Sequence, residues 1–369
     1  MFKWTWKSLS SQRGTLAGSA LGIAFTFILV IFFDAVWRGE SVQIVSYPDH
    51  VKPDVWVMQS GVGNMHMAMS FVWDWKADQI AKMPGVKRVT PILYMTSVVS
   101  AGKHRMFAFI VGLLPDAKRA GPWKLTAGRH IGNPQEAVIP DVFSKITGIG
   151  IGDQLRIVDK SFTVVGLSSG TYSSANSVLF VPFADLEEIL SSSGTYSYLL
   201  VDAKEGTDPN DLAKRIRDQV EKVNALTQKE FVSNDLSMAK QMGVGIIVIM
   251  TAICSALAAL IVGFTSYSLV IRRRREIAII KALGIGNDKI LISVIVQSGI
   301  LTFIGFIMAM LFALFVMPAV PLLLPQLTLA VSTPALFQIG LIALVVAVLG
   351  ALIPAWFVSR LDPATAFHI

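Results

Sequence analysis

Long uncharged runs alternate with mixed stretches along the chain. Residues 14–33 carry no Asp, Glu, Lys or Arg, and at about 1.5 Å per residue such a run crosses about 30 Å of hydrocarbon. Residues 241–271 and 290–359 are equally free of these four residue types. Pro318, Pro321 and Pro325 divide the last run, and Pro334 stands near the next helix start, since interior prolines end helices. The pattern predicts four spans, at 14–33, 241–271, 290–317 and 335–357, with an outer loop at 318–334. The second run exceeds the bilayer, so its upper end is expected to continue as a stalk helix.

Residues 34–240 read differently. Runs rich in β-branched and aromatic residues predict strands at 54–59, 97–100, 106–113, 136–139, 155–158, 162–167, 178–181 and 196–201. Helical patterns lie at 72–83, 142–147, 183–190 and 209–223, the last with Thr207 or Asp208 as N-cap. This is an α+β pattern. Its texture divides into an outer edge at 50–120 and a glycine-punctuated, strand-rich part at 121–203, with arms at 34–47 and 209–240 expected as stalks. Gly148-Ile149-Gly150-Ile151-Gly152-Asp153 lacks G-x-G-x-x-G spacing and precedes a strand, which favours a turn over a nucleotide loop.

Charge orients this pattern. The chain is 53% hydrophobic and 15% charged, against about 25% charged in ordinary soluble proteins. Its net charge of +7 sits entirely in segment 1–13, loop 272–289 and tail 358–369; residues 34–240 are neutral, with 22 basic and 22 acidic side chains. Basic loops beside spans mark the cytosolic face, so both termini and the loop are expected inside and residues 34–240 outside. Trp4 and Trp6 beside Lys3 and Lys7 suit an interfacial segment entering an uncleaved anchor. A neutral outer domain removes the compositional support for nucleic-acid binding. The single cysteine, Cys254, allows no intrachain disulfide and no cysteine metal site.

Loop 272–289 has more pattern than a topology signal requires. Four arginines, Arg272 to Arg275, precede Ile277, Ile280 and Leu283, which at i, i+3 and i+6 are expected to share one apolar face of a short amphipathic helix, and Gly284 stands where that helix would end. Arg275-Glu276-Ile277 followed by Lys281-Ala282-Leu283-Gly284 resembles the coupling-helix region of the MacB/FtsX-like ABC-transporter permeases. The first span, the large outer domain, three later spans, this loop and the closing Arg360-Leu361-Asp362-Pro363-Ala364 follow the family's order over nearly the whole chain. Asp54-Val55-Trp56-Val57, Gly121-Pro122-Trp123-Lys124-Leu125 with Gly128-Arg129, and Gly170-Thr171-Tyr172-Ser173 are similar to the haem- and glycolipid-exporting subgroup. Gln297 departs from the pattern, standing where relatives often carry Glu.

The resemblance implies an α-helical membrane protein with four transmembrane helices and a MacB-like α+β extracytoplasmic domain between helices 1 and 2, in the bacterial plasma (inner) membrane. It implies an ABC ATPase subunit as partner, docking on Arg275, Glu276, Ile277, Ile280, Lys281, Leu283 and Gly284, with Arg272 to Arg274 holding lipid headgroups. A second copy or a paralogous permease completes the pair, and a membrane-fusion adaptor is a further candidate partner. ATP and Mg belong to the ATPase, so this chain is expected to bind no cofactor and to be a permease subunit, not an enzyme.

The residues agree on several exclusions. No G-x-x-x-x-G-K-[ST] loop occurs, and His50, His66, His104, His130 and His368 are scattered without metal or catalytic spacing. The predicted spans lack ionisable Asp, Glu, Lys and Arg, which disfavours an ion-coupled secondary transporter. Asn64-Met65-His66-Met67-Ala68-Met69 is the most unusual stretch; Met65, His66 and Met67 are candidate contacts for a haem-like cargo, because methionine and histidine ligate haem iron. The leading reading is an ATP-driven exporter or extractor of an amphipathic substrate. The alternative is an FtsX-like transmitter that activates an outer partner without transport.

Overall fold

The computed structural model describes residues 13–359 apart from 67–68, 173–176, 273, 284–285 and 326. The terminal segments 1–12 and 360–369, Ser173, Met67 and Gly284 therefore lie outside the described residues. The chain falls into two units, a helical one (1–38, 243–323 and 329–369) and a sheet domain (39–242 with 324–328).

Helix α1 (Arg13–Ile44) is longer than the span expected at 14–33. Its polar end does not stop it, because Asp34 and Arg38 pair at 2.7 Å one turn apart, which supports a helix. The sheet domain follows with α2 (Ser46–Val51), β1 (Val55–Gln59), β2 (Val72–Trp73), α3 (Asp74–Ala81), and the hairpin β3 (Val86–Ala101) and β4 (His104–Leu113). Next come β5 (Leu125–Gly128), β6 (Glu136–Pro140), α4 (Asp141–Thr147), β7 (Gln154–Ile157), β8 (Lys160–Ser168), β9 (Val178–Pro182) and α5 (Phe183–Leu190). The domain closes with β10 (Thr195–Tyr196), β11 (Tyr198–Ala203), α6 (Pro209–Gln219) and β12 (Val223–Thr227).

Ten strands make one mixed sheet in the order β12-β1-β11-β3-β4-β9-β6-β8-β5, with β7 joining β3 and β8. Alternate side chains of a strand point to opposite faces, and both faces here are covered. Val55 and Val57 of β1 pack with Leu199 and Val201 of β11 against Ile80, Leu212 and Ile216 of α3 and α6. Trp56 and Met58 point the other way into a core with Tyr94, Phe109, Phe180, Tyr198 and Phe231. The division at residue 120 is not a structural boundary. Strand β4 pairs in parallel with β9 through Phe109 and Val178, so both textures share one sheet and one core. The expected arm at 209–240 is also corrected: α6 is capped by Asp208, which accepts from Asn210 N, and buries Leu212, Ala213 and Ile216 in the core, while β12 forms the sheet edge beside β1.

The glycines at 148–152 form the turn between α4 and β7, with Gly148 and Gly152 at φ of 76° and 94° and Asp153 accepting from Gly150 N at 2.8 Å. Gly128 is required by space as well: a Cβ there would lie 2.2 Å from the Val165 carbonyl oxygen.

The remaining elements are α7 (Gln228–Arg272), α8 (Arg274–Ala282), α9 (Asn287–Phe315), the short α10 (Val320–Leu323) and α11 (Thr333–Ser359). Among the described residues, α1, α7, α9 with its continuation, and α11 are long and apolar enough to cross a membrane. Their shared core joins Ile23, Phe27 and Ile31 of α1 to Ala258 and Val262 of α7, Leu301 and Ala309 of α9, and Ile339 and Ala343 of α11. Backbones approach closely at two glycines. A Cβ on Gly305 would meet Ile23 Cγ2 at 2.6 Å, and one on Gly350 would meet Val262 Cγ1 at 2.6 Å. Hydroxyl pairs cross the interfaces too: Thr265 donates to Ser19 Oγ at 3.1 Å, and Ser266 and Ser298 share a hydrogen bond at 2.7 Å, contacts that tie apolar helices together.

Candidate functional site

Helix α8 lies between α7 and α9 in the chain and divides its residues sharply by environment. Ile277 and Ala278 are buried. Ile277 packs with Val270 of α7 and with Ile290 and Val294 of α9, and Ile280 and Phe357 of α11 close the cluster. Arg274, Arg275 and Glu276 are exposed, Lys281 is half-buried, and Leu283 is 78% exposed. Burial pushes the Lys281 amine below its usual pKa, as expected when a charged form loses solvent. Gly284, the expected helix end, lies outside the described residues.

The expected single apolar face is therefore two faces. At about 100° per residue, Leu283 stands about 120° round the helix from Ile277. Ile277 and Ile280 seat α8 on the ends of the chain's own long helices, and Leu283 faces away with the exposed Ile279, Arg275 and Glu276. The anchors Val270, Ile290, Val294 and Phe357 were not singled out from sequence, because in wholly apolar runs no periodic contrast marks which face is covered. A charged, partly apolar outer surface on a helix fixed to three others can receive a partner and pass its displacement to those helices.

The second candidate stretch is held by α7. Met65 N donates to Asp235 Oδ1 at 3.1 Å, and His66 Nδ1 lies 2.9 Å from the same oxygen. Asn234 donates to the Gly63 carbonyl, Asn224 to the Val62 carbonyl, and the Tyr198 hydroxyl to the Asn64 carbonyl. The Met65 side chain is buried in the core, 4% exposed, so it has no surface to offer a ligand. His66 is half-buried, with its ring edge-on to Phe109 at 5.2 Å. Met67 lies outside the described residues. Asp235 is 1% exposed and its Oδ2 has no hydrogen-bond partner among the described residues; it is the residue on which the stretch converges, and its separation of 169 residues from His66 hid it from sequence reading. Burial beside Asp235 raises the Tyr198 phenol far above its ordinary pKa. Met65 and His66 thus belong to a hydrogen-bonded junction between loop and helix. Among the described residues no group of three or more His, Cys, Asp and Glu could hold a metal ion.

Comparison with known proteins adds to this geometry. Residues 14–219 match the profile of the MacB-like periplasmic core domain, and residues 248–363 that of the FtsX-like permease C-terminal domain. An uncharacterized ABC transporter permease of Mycobacterium tuberculosis is 23% identical over 360 residues, covering 96% of this chain and 95% of the relative. A Staphylococcus epidermidis protein named as the hemin transport system permease HrtB is 23% identical over 326 residues, 87% of each chain. The pyoverdine export ATP-binding/permease protein PvdT of Pseudomonas aeruginosa is 24% identical and covers 98% of this chain and 57% of the relative. Among solved structures, the periplasmic region of MacB from Actinobacillus actinomycetemcomitans aligns at 14% identity with a TM-score of 0.38, over 48% of this chain and 89% of that one.

Proposed function

Because the chain belongs to the MacB/FtsX-like ABC-transporter permeases, we propose that it is the membrane subunit through which a separate ABC ATPase drives export or extraction of an amphipathic substrate. The observation that carries this reading is the division of α8. Its inner residues Ile277 and Ile280 are seated among the ends of α7, α9 and α11, and its outer residues Arg275 and Glu276, with Leu283 just past its end, are exposed. Nucleotide-driven closure of the ATPase pushes α8, and the seated isoleucines pass the displacement to the long helices. Helix α7 runs unbroken from Gln228 to Arg272 and α1 from Arg13 to Ile44, so each belongs partly to the helical unit and partly to the sheet domain.

In this reading α8 and both termini face the cytosol, the sheet domain lies outside the bacterial plasma membrane, and a second copy or a paralogous permease completes the assembly, with an adaptor as a further partner. ATP and Mg are held by the ATPase, consistent with the lack of a phosphate-binding loop in this sequence. The cargo class draws on relatives named for hemin and pyoverdine and on the uncharged runs 241–271 and 290–359, which give an ion-coupled relay nothing to work with. Haem remains a candidate cargo, but not through Met65, whose side chain is spent in the core.

Co-purification with an ABC ATPase tests the reading. Leu283→Asp, a change at a 78% exposed position, is expected to abolish capture and leave the permease folded. Equal capture by both proteins would move the contact off α8, and no capture by either would remove the ATPase partner. In the assembled complex, amphiphiles are expected to raise ATP hydrolysis; indifference to all of them would favour a transmitter that moves no cargo.

A further inference from the structure

Four large apolar side chains stand exposed within seven residues of the sheet domain. Met69, Phe71, Trp73 and Trp75 are each 40–55% exposed, on the stretch that leads from the loop after β1 through β2 into α3. Strand alternation accounts for the arrangement. Val72 points into the core with Ile80 and Leu199, so Phe71 and Trp73 point outward, and Trp75 follows in the first turn of α3. Exposed apolar side chains gathered in this way mark a contact surface. Charge does not suit it to an acidic partner. Asp74 is the only charged residue between positions 69 and 75, and the neighbouring Lys76 is buried, its ammonium donating to the Glu221 carbonyl at 2.6 Å.

Helix α7 fixes where this stretch lies. At its start Gln228 N donates to the Asp54 carbonyl at 3.2 Å, and Phe231 stacks on Trp56 with ring centroids 4.3 Å apart. Further along, Asn234 donates to the Gly63 carbonyl at 3.0 Å, and Asn64 Nδ2 reaches Met238 Sδ at 3.6 Å. The helix therefore runs in the direction of β1, and the loop after β1 lies at the end by which α7 leaves the sheet domain. Phe71 is held at that end. Its N–H donates to Gln59 Oε1 at 3.1 Å, and Gln59 N donates to Ser70 Oγ at 2.8 Å. The uncharged run of α7 begins at residue 241, three residues past Met238, or about 4.5 Å along the helix. This separation is set by one continuous helix, so the loop meets α7 within a turn of the residues that enter hydrocarbon.

We infer that Met69, Phe71, Trp73 and Trp75 insert into the lipid headgroup region of the leaflet at the end of α7 remote from α8, so that the sheet domain rests on the membrane through them. The chemistry suits that place. Tryptophan rings gather at headgroup level, and the apolar side chains of an interfacial segment sink about 5–10 Å into the headgroup boundary. With a single acidic residue in the stretch, insertion draws on apolar area and not on attraction to anionic lipid. The inference goes beyond the proposed transport function and needs from it only that α7 crosses a membrane.

The test uses the full chain in phosphatidylcholine nanodiscs, with Cys254→Ala removing its one cysteine. A nitroxide is attached at Phe71→Cys, Trp73→Cys or Glu205→Cys. Glu205 is exposed in the turn after β11, on the side where β1 begins, since Ala203 N donates to Asp54 Oδ2 at 2.7 Å. Collisions of each nitroxide with oxygen, which concentrates in lipid, and with a water-soluble nickel chelate are measured. The ratio of oxygen to nickel collisions is expected to be at least threefold higher at 71 and 73 than at 205, and to stay the same when phosphatidylglycerol is added. Phe71→Ser with Trp73→Ser, both at exposed positions, should leave the unfolding temperature unaltered and cut the ratio at Trp75→Cys at least twofold. Equal ratios at 71, 73 and 205 would place water over the stretch and overturn the inference. Oxygen and nickel collisions that are both low at 71 and 73 would overturn it in favour of a second copy or another protein. A ratio raised only by phosphatidylglycerol would overturn it in favour of adsorption by charge. None of these results depends on capture of an ATPase, so this inference and the proposed function fail separately.

Discussion

At the scale of single residues, Ile277 and Leu283 have the same chemistry and opposite tasks, so their substitutions should fail differently. Truncating a buried isoleucine leaves a cavity and costs about 2–4 kcal/mol locally, but Ile277→Ala leaves the outer surface of α8 intact. The expected result is normal capture of the ATPase with at least a fivefold loss of amphiphile-stimulated hydrolysis; lost capture would place Ile277 in the docking surface instead of the seat. Glu136 offers a second test. Its carboxylate accepts from Arg129 Nη1 at 2.7 Å, Gly132 N at 2.8 Å, Asn133 N at 3.0 Å and Asn133 Nδ2 at 2.9 Å. Arg129 foremost holds its pKa far below the carboxylate range. A depressed folded pKa gives stability that is present in full above the unfolded value of about 4.3 and fades as pH falls below it. Glu136→Gln should therefore cost about 2 kcal/mol at pH 7, and the gap in unfolding temperature should shrink below about pH 4; a gap independent of pH would show that the charge is not what matters. The spacing of Ile277 and Leu283 was legible in the sequence and its consequence was not, since i and i+6 are not one face. Met65 was illegible for another reason: Asp235 holds its backbone and its side chain packs in a core with Tyr198, residues that no local pattern links to it.

At the scale of elements, the helix contacts turn on glycines. Gly305→Ala and Gly350→Ala would each set a Cβ within 2.6 Å of a β-branched side chain on the facing helix. Overpacking of this kind costs about 1–3 kcal/mol, against the gain of up to about 1 kcal/mol that alanine brings to a helix. Both variants should lower the unfolding temperature of the detergent-solubilised chain. Gly18→Ala, whose Cβ meets nothing within 4 Å, should leave it unchanged or raise it, and equal behaviour of all three would remove the close-packing account. Elements were readable where local signals were complete. Helix α5 matches its expected limits at 183–190, framed by Pro182 and a left-handed Ser191. The helix expected at 209–223 ends at Gln219, with no glycine or proline before Val223 to mark the stop, and strand β12 falls in the expected arm at 209–240 because its pairing partner, β1, is remote in sequence. The first half of β3 was passed over because Pro91 interrupts it and its support comes from β11.

At the scale of the molecule, uncharged runs and the confinement of excess charge to three short segments made the four-helix plan legible before any coordinates. Helix ends were less so, because apolar content records what faces lipid and not where backbone hydrogen bonding stops; α7 begins at Gln228, well before the run that starts at residue 241. That extension is what a mechanical account needs. If α7 transmits displacement, its continuity should matter more than its sequence between Met238 and the apolar run. Inserting four glycines after Met238 would soften the helix by about 1 kcal/mol per residue relative to alanine, and four alanines would keep it helical while adding about 6 Å and about 40° of rotation. In complex with the ATPase, the glycine insertion is expected to keep nucleotide hydrolysis and abolish the ATP-dependent change in hydrogen exchange at β1 and β12, while the alanine insertion retains most of it. If the glycine insertion responds to ATP like the unaltered chain, α7 is only a tether. If both insertions abolish the response, angular register and not stiffness is what the sheet domain reads.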